Sequence, residues 1–199
     1  MVGDTWSPTA SMRTLKYFLE DAAKHKASVH QLDFIRAFLQ AKVQNRVFVK
    51  LDMRYADYFP EYALYFGRAL KLLKSMYVMT NSGKLFADEL TEFLIEEVFI
   101  QSQCQMSIYY KYAPDGSKIV VLSNVDDCVY CYTNEDIGKW FVDTSGKRFH
   151  LNFLGFSHWF MSIRISQLKD HSIYVDQARS GVSSLFHRNG MILQLRNAY

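Results

Sequence analysis

What this 199-residue chain has little of narrows its class first. Its three cysteines, Cys104, Cys128 and Cys131, are an odd number and too few for a disulfide framework, which excludes a stapled secreted domain and suits a reducing compartment. Its 3 prolines and 9 glycines are scattered, leaving no linker, repeat or low-complexity tract. The longest purely aliphatic run, Ile119 to Leu122, is far below the roughly 20 apolar residues of a membrane span. Met1 to Ser11 offers no basic-then-apolar leader, so the expectation is a soluble, intracellular protein with no membrane partner.

What is present points to a folded unit. The chain is 49% hydrophobic and 16% aromatic, enough to bury a core, and its length suits one domain. A net charge of +3 demands no polyanionic partner, but its distribution is uneven. Residues 1–84 hold 13 Lys or Arg against 7 Asp or Glu, and residues 85–199 hold 10 against 13. A basic half beside an acidic half fits a phosphate backbone lying near a metal-binding carboxylate cluster; ordinary solvated faces fit it as well.

Periodicity supplies the elements. Ser7-Pro8 resembles a helix cap with proline in the first turn, and Leu15, Phe18, Leu19, Ala22 and Ala23 follow at helical spacing. Val29 to Phe34 and Val47 to Leu51 read as strands. Leu85, Phe86, Leu90, Phe93, Leu94 and Val98 form the apolar stripe of a long helix starting at Ser82. Pro114-Asp115-Gly116-Ser117 is a turn between Ile108 to Tyr112 and Ile119 to Leu122; a second hairpin, with its tip at Asp126-Asp127, leads into Cys128 to Tyr132. A shorter helix over Glu135 to Val142 precedes paired strands at Trp159 to Ile165 and Ser172 to Val175. The alternation predicts an α+β sandwich, a mainly antiparallel sheet with helices packed on one face.

Two adjacent carboxylates between β-favouring runs are costly, because like charges repel unless a cation or a proton neutralises them. Asp33 ends another β-run. Were the two strands adjacent, Asp33, Asp126 and Asp127 would meet at one sheet edge and could hold two Mg²⁺ or Mn²⁺ ions about 4 Å apart for in-line phosphoryl transfer.

Val29-His30-Gln31-Leu32-Asp33 with Ala37-Phe38-Leu39, then Leu73-Lys74-Ser75-Met76-Tyr77, Val125-Asp126-Asp127, and finally Ile163-Arg164-Ile165 with Ile173-Tyr174-Val175-Asp176-Gln177, resemble in order and spacing the motifs of copia-type retrotransposon reverse transcriptases. The resemblance runs from about Thr5 to Arg179. It implies a palm-like polymerase domain over residues 1–179 with incomplete fingers and thumb, and a divergent tail over 180–199. It also implies RNA-directed DNA synthesis on an RNA or DNA template-primer from deoxynucleotide triphosphates, within a larger polyprotein. Asp33, Asp126 and Asp127 fall on the catalytic, metal-holding carboxylates. Phe38 falls on the aromatic position that excludes a ribose 2′-hydroxyl, the backbone around Phe34 to Ala37 lies toward the triphosphate, and Asn81 lies near the incoming nucleotide.

The chain departs from the family pattern at Asn124, where a tyrosine usually opens the Asp-Asp box. It departs again at Val78 and Asn81, which stand for glycine and glutamine; a glycine-only backbone angle at 78 would strain valine. Two alternatives follow: an inactive remnant that keeps the palm fold and binds nucleic acid weakly, and a two-carboxylate hydrolase supported only by the Asp pair. Cys128-x-x-Cys131 lacks a matching second pair and reads as structural.

Overall fold

In the computed structural model, which describes residues 5–43, 45–177, 182–186 and 192–196, the first helix begins four residues later than its proline suggests. The cap is Ser11, not Ser7: its Oγ accepts the Thr14 amide at 3.1 Å, and α1 runs Met12–Lys24. Leu15, Phe18, Leu19, Ala22 and Ala23 form its buried stripe as the spacing requires.

A six-stranded antiparallel sheet is the centre of the molecule. Its spatial order is β4 (Ile100–Gln101), β5 (Ile108–Tyr112), β6 (Lys118–Asn124), β7 (Asp127–Tyr132), β1 (Ser28–Phe34) and β8 (Leu151–Phe156). Between β1 and the sheet helices lie α2 (Ala37–Gln40), a two-stranded ribbon of β2 (Phe48–Lys50) and β3 (Ala69–Lys71), and between those strands the short helix α3 (Tyr55–Tyr58) and a 3-10 turn at Pro60–Tyr65.

The expectation of helices on one face is corrected. β6 and β7 are apolar on both faces, so both need cover. Helices α4 (Ser82–Glu96) and α5 (Glu135–Arg148) pack Leu85, Phe86, Leu90, Phe93, Leu94, Ile137 and Phe141 against Leu32, Phe34, Ile119, Val121, Cys128 and Tyr130. On the other face α1 covers Val29, Val120, Leu122, Val129 and Cys131, together with Phe160, Ile163, Ile165, Ile173 and Val175.

Those last residues belong to a second antiparallel sheet, in the order β13 (Ile192–Arg196), β12 (Val182–Phe186), β11 (Ile173–Gln177), β10 (Ile163–Gln167), β9 (Trp159–Phe160). The run expected as one strand over Trp159 to Ile165 is split by Met161 and Ser162, both at positive φ, which fold β9 back on β10. α5 is longer than its apolar stripe and ends on Lys147 and Arg148, cations suited to a helix C-terminus. Val98 lies beyond α4 rather than in its stripe: it takes φ +63 and is exposed, while the Phe99 amide donates to the Leu94 carbonyl at 2.8 Å and returns the chain to the core. Among the described residues, no helix is long and apolar enough to cross a membrane.

Candidate active site

The antiparallel register of β1 and β7 brings Asp33 directly opposite Asp127. β6 and β7 close through a two-residue turn, Val125-Asp126, with Asn124 paired to Asp127. The Phe34 amide donates to the Asp126 carbonyl at 3.2 Å, tying the turn to the end of β1. Three carboxylates 93 and 94 positions apart in sequence therefore share one end of the central sheet, fixed by backbone pairing. Val125 holds the turn at φ +60, a conformation in which a β-branched side chain is strained and glycine is not.

Strand alternation decides which way these groups face. Leu32 and Phe34 enter the core under α4, so Gln31 and Asp33 lie on the opposite face. Asp33 and Asp127 are half-buried and Asp126 is exposed. Burial first, then the charges of Asp126 and Asp33, raise the proton affinity of Asp127 above that of an ordinary carboxylate; a hydrogen bond from the Gln31 side chain opposes them. Among the described residues no three metal-ligating side chains are gathered closely enough to enclose an ion as they stand. The convergence is one of backbone positions.

The remaining predicted residues divide. The expectation at Phe34 concerned its backbone; its ring is 3% exposed, edge-on to Phe86 and Phe149 at 5.1 and 5.3 Å, and packs the core. The backbone beside it is also engaged, since the Phe34 amide is bonded as above and the Ile35 amide donates to the His150 carbonyl at 3.0 Å. Phe38, on α2, is half-buried with its ring 5.2 Å from that of Tyr77, and its carbonyl accepts the Ser75 hydroxyl at 2.7 Å. Asn81 occupies the first position before α4 without a side-chain capping bond, half-buried. Val78 is 87% exposed and is not among the described residues at positive φ, so the strain expected there does not arise. Cys128 and Cys131 are buried on opposite faces of the sheet, as strand alternation requires of positions three apart.

Sequence reasoning passed over Gln31. It is a buried polar residue two positions before Asp33 on the same strand face, and period-two placement was the signal available.

A family model described as reverse transcriptase (RNA-dependent DNA polymerase) matches residues 2–188. The chain belongs to the copia-type reverse transcriptase family. The match of this reverse transcriptase spans α1 through β12, so the central sheet, all three carboxylates and the second sheet apart from β13 lie inside it. Nucleic-acid template-primers and nucleotides are the substrates of that family in general.

Proposed function

We propose that this domain is an RNA-directed DNA polymerase whose palm is the six-stranded sheet and whose catalytic carboxylates are Asp33, Asp126 and Asp127. The single observation carrying the reading is the β1–β7 register that pairs Asp33 with Asp127 beside the Val125-Asp126 turn. The donor set fits Mg²⁺ or Mn²⁺: it consists of hard carboxylate oxygens, and burial, followed by the charges of Asp126 and Asp33, makes the ionised form of Asp127 costly without a cation. Asp33 and Asp126 would be the main ligands, and Asp127 would support them. Two such ions supply Lewis-acid activation of a primer 3′-hydroxyl and charge neutralisation on the triphosphate. The protein orients the reactants around the carboxylates. Phe38 would lie beneath the sugar and exclude a 2′-hydroxyl by contact, and Asn81 would hydrogen-bond near the incoming nucleotide. The polymerase unit is assigned to residues 1–179 and the tail to 180–199, within a longer polyprotein.

The test is Mg²⁺-dependent primer extension on an RNA template. Asp126→Asn removes several kcal/mol of transition-state charge stabilisation, a loss on the order of 10³-fold in rate. Extension by the wild type at the level of this variant rules the activity out.

A second reading, a non-catalytic remnant that binds nucleic acid, is favoured by Asn124 and by the exposed Val78, which replace the family's tyrosine and glycine. It predicts no extension but steeply salt-dependent binding; affinity insensitive to salt refutes it.

A further inference from the structure

The strongest unused feature lies beside the carboxylates. Gln31 is 7% exposed and on the same strand face as Asp33. Its register partner on β7 is Val129, which makes Asp127 its diagonal neighbour, at a separation of about 7–8 Å that a long side chain spans. Its side-chain oxygen accepts the Ser157 hydroxyl at 3.3 Å, within the buried interior. With Oε1 turned to Ser157, the Nε2 protons are left for Asp127, whose carboxylate can only accept.

Ser157 is itself anchored. It is buried, and its amide donates to the Val29 carbonyl at 3.0 Å, so the chain leaving β8 is fastened to β1 two residues before Gln31. The β1–β8 ladder also breaks its register here. Gln31 pairs with Gly155 and Leu32 with Phe153, so Leu154 is the extra residue of a β-bulge, with Gly155 at φ +75. Bulges bend a strand and re-aim neighbouring side chains. Beyond this one the ladder continues through Gly155 and Phe156, which leaves Ser157 opposite Val29 and beside Gln31.

We propose that Gln31 is a positioning residue for Asp127, anchored through its side-chain oxygen by Ser157, so that a divalent cation meets the Asp127 carboxylate already oriented. The inference rests on the reading of Asp127 as part of the metal site. Outer residues that hydrogen-bond a metal ligand commonly control affinity by about 10–100-fold.

The experiment is a Mn²⁺ titration of the full chain, with free Mn²⁺ read by electron paramagnetic resonance and no turnover required. Gln31→Met keeps the length and removes the amide. It is expected to weaken Mn²⁺ binding about 10–100-fold in the wild-type background and to have no effect in an Asp127→Asn background. Ser157→Ala leaves Gln31 in place and is expected to show a smaller loss in the same direction, which keeps the test open if Gln31→Met folds poorly. Unchanged affinity in Gln31→Met and Ser157→Ala while Asp127→Asn weakens binding overturns the positioning role alone. Equal Mn²⁺ binding by wild type and Asp127→Asn overturns the metal-site reading beneath it.

Discussion

Replacing Asp127 by asparagine should stabilise the metal-free protein and remove its stabilisation by Mg²⁺. Asp33 and Asp127 face each other across an antiparallel pair, with Asp126 beside them. Carboxylates about 6 Å apart repel by about 0.7–3 kcal/mol as the effective dielectric falls from about 80 to about 20. Half-burial and the exposure of Asp126 put the site toward the screened end, so removing the charge is worth about 1 kcal/mol. For a chain of this size that is about 2–4 °C in Tm. The pH dependence has a definite sign. The folded state raises the proton affinity of Asp127, so between the ordinary carboxylate range and the raised folded value the native state binds more protons than the unfolded one. Metal-free wild-type stability must therefore fall as pH rises through that window, and this contribution is absent in Asp127→Asn. Added Mg²⁺ at ten times its dissociation constant contributes about 1.4 kcal/mol to wild type and little to the variant, reversing their order. Calorimetric melts with and without Mg²⁺ across pH 4–8 read both effects. A metal-free variant that is less stable than wild type at neutral pH refutes the repulsion argument.

Three further outcomes rest on other residues. Gly138→Ala should destabilise by about 1–3 kcal/mol despite the better helix former, because the new Cβ would meet the Tyr132 ring 2.5 Å away and that ring's hydroxyl is bonded to both His30 and Glu135; chemical denaturation measures it. Val125→Gly should raise stability by about 0.5–1 kcal/mol by relieving the φ +60 turn, and a lower denaturation midpoint contradicts the strain. His30, whose proton affinity is lowered by burial against a smaller opposing effect of Glu135, packs among Tyr130, Tyr132, Phe153 and Phe156. Its unfolded form takes up a proton first, so stability should decline as pH falls below about 6.5, and His30→Phe should flatten that limb of a denaturation series.

The convergence of the three aspartates was legible because it depends on strand pairing. Short β-runs ending at Asp33 and turning at Asp126 fix the face and end of each strand, and the register then brings the carboxylates together without any side-chain detail. The long helix α4 was legible from its stripe for the same reason, and its end was not: Val98 continues the apolar spacing but leaves the helix through a left-handed step. Phe34 shows the converse limit. One residue past Asp33, it points to the other face of the strand, where Phe86 and Phe149 enclose it, and a motif position alone does not reveal that. Nor did local pattern reveal that α1 and a second sheet cover the face opposite α4 and α5. That follows from long-range packing of Val120, Leu122, Val129 and Cys131, whose apolar character was read only as strand propensity.

The most direct measurement of the central claim is a crystal of the full chain with primer-template, a non-hydrolysable deoxynucleotide and Mn²⁺, read by anomalous scattering. The account predicts two Mn²⁺ peaks about 3.5–4 Å apart, coordinated by Asp33 and Asp126 with Asp127 adjoining. Mn²⁺ bound only away from that end of the central sheet, with the nucleotide present, contradicts it.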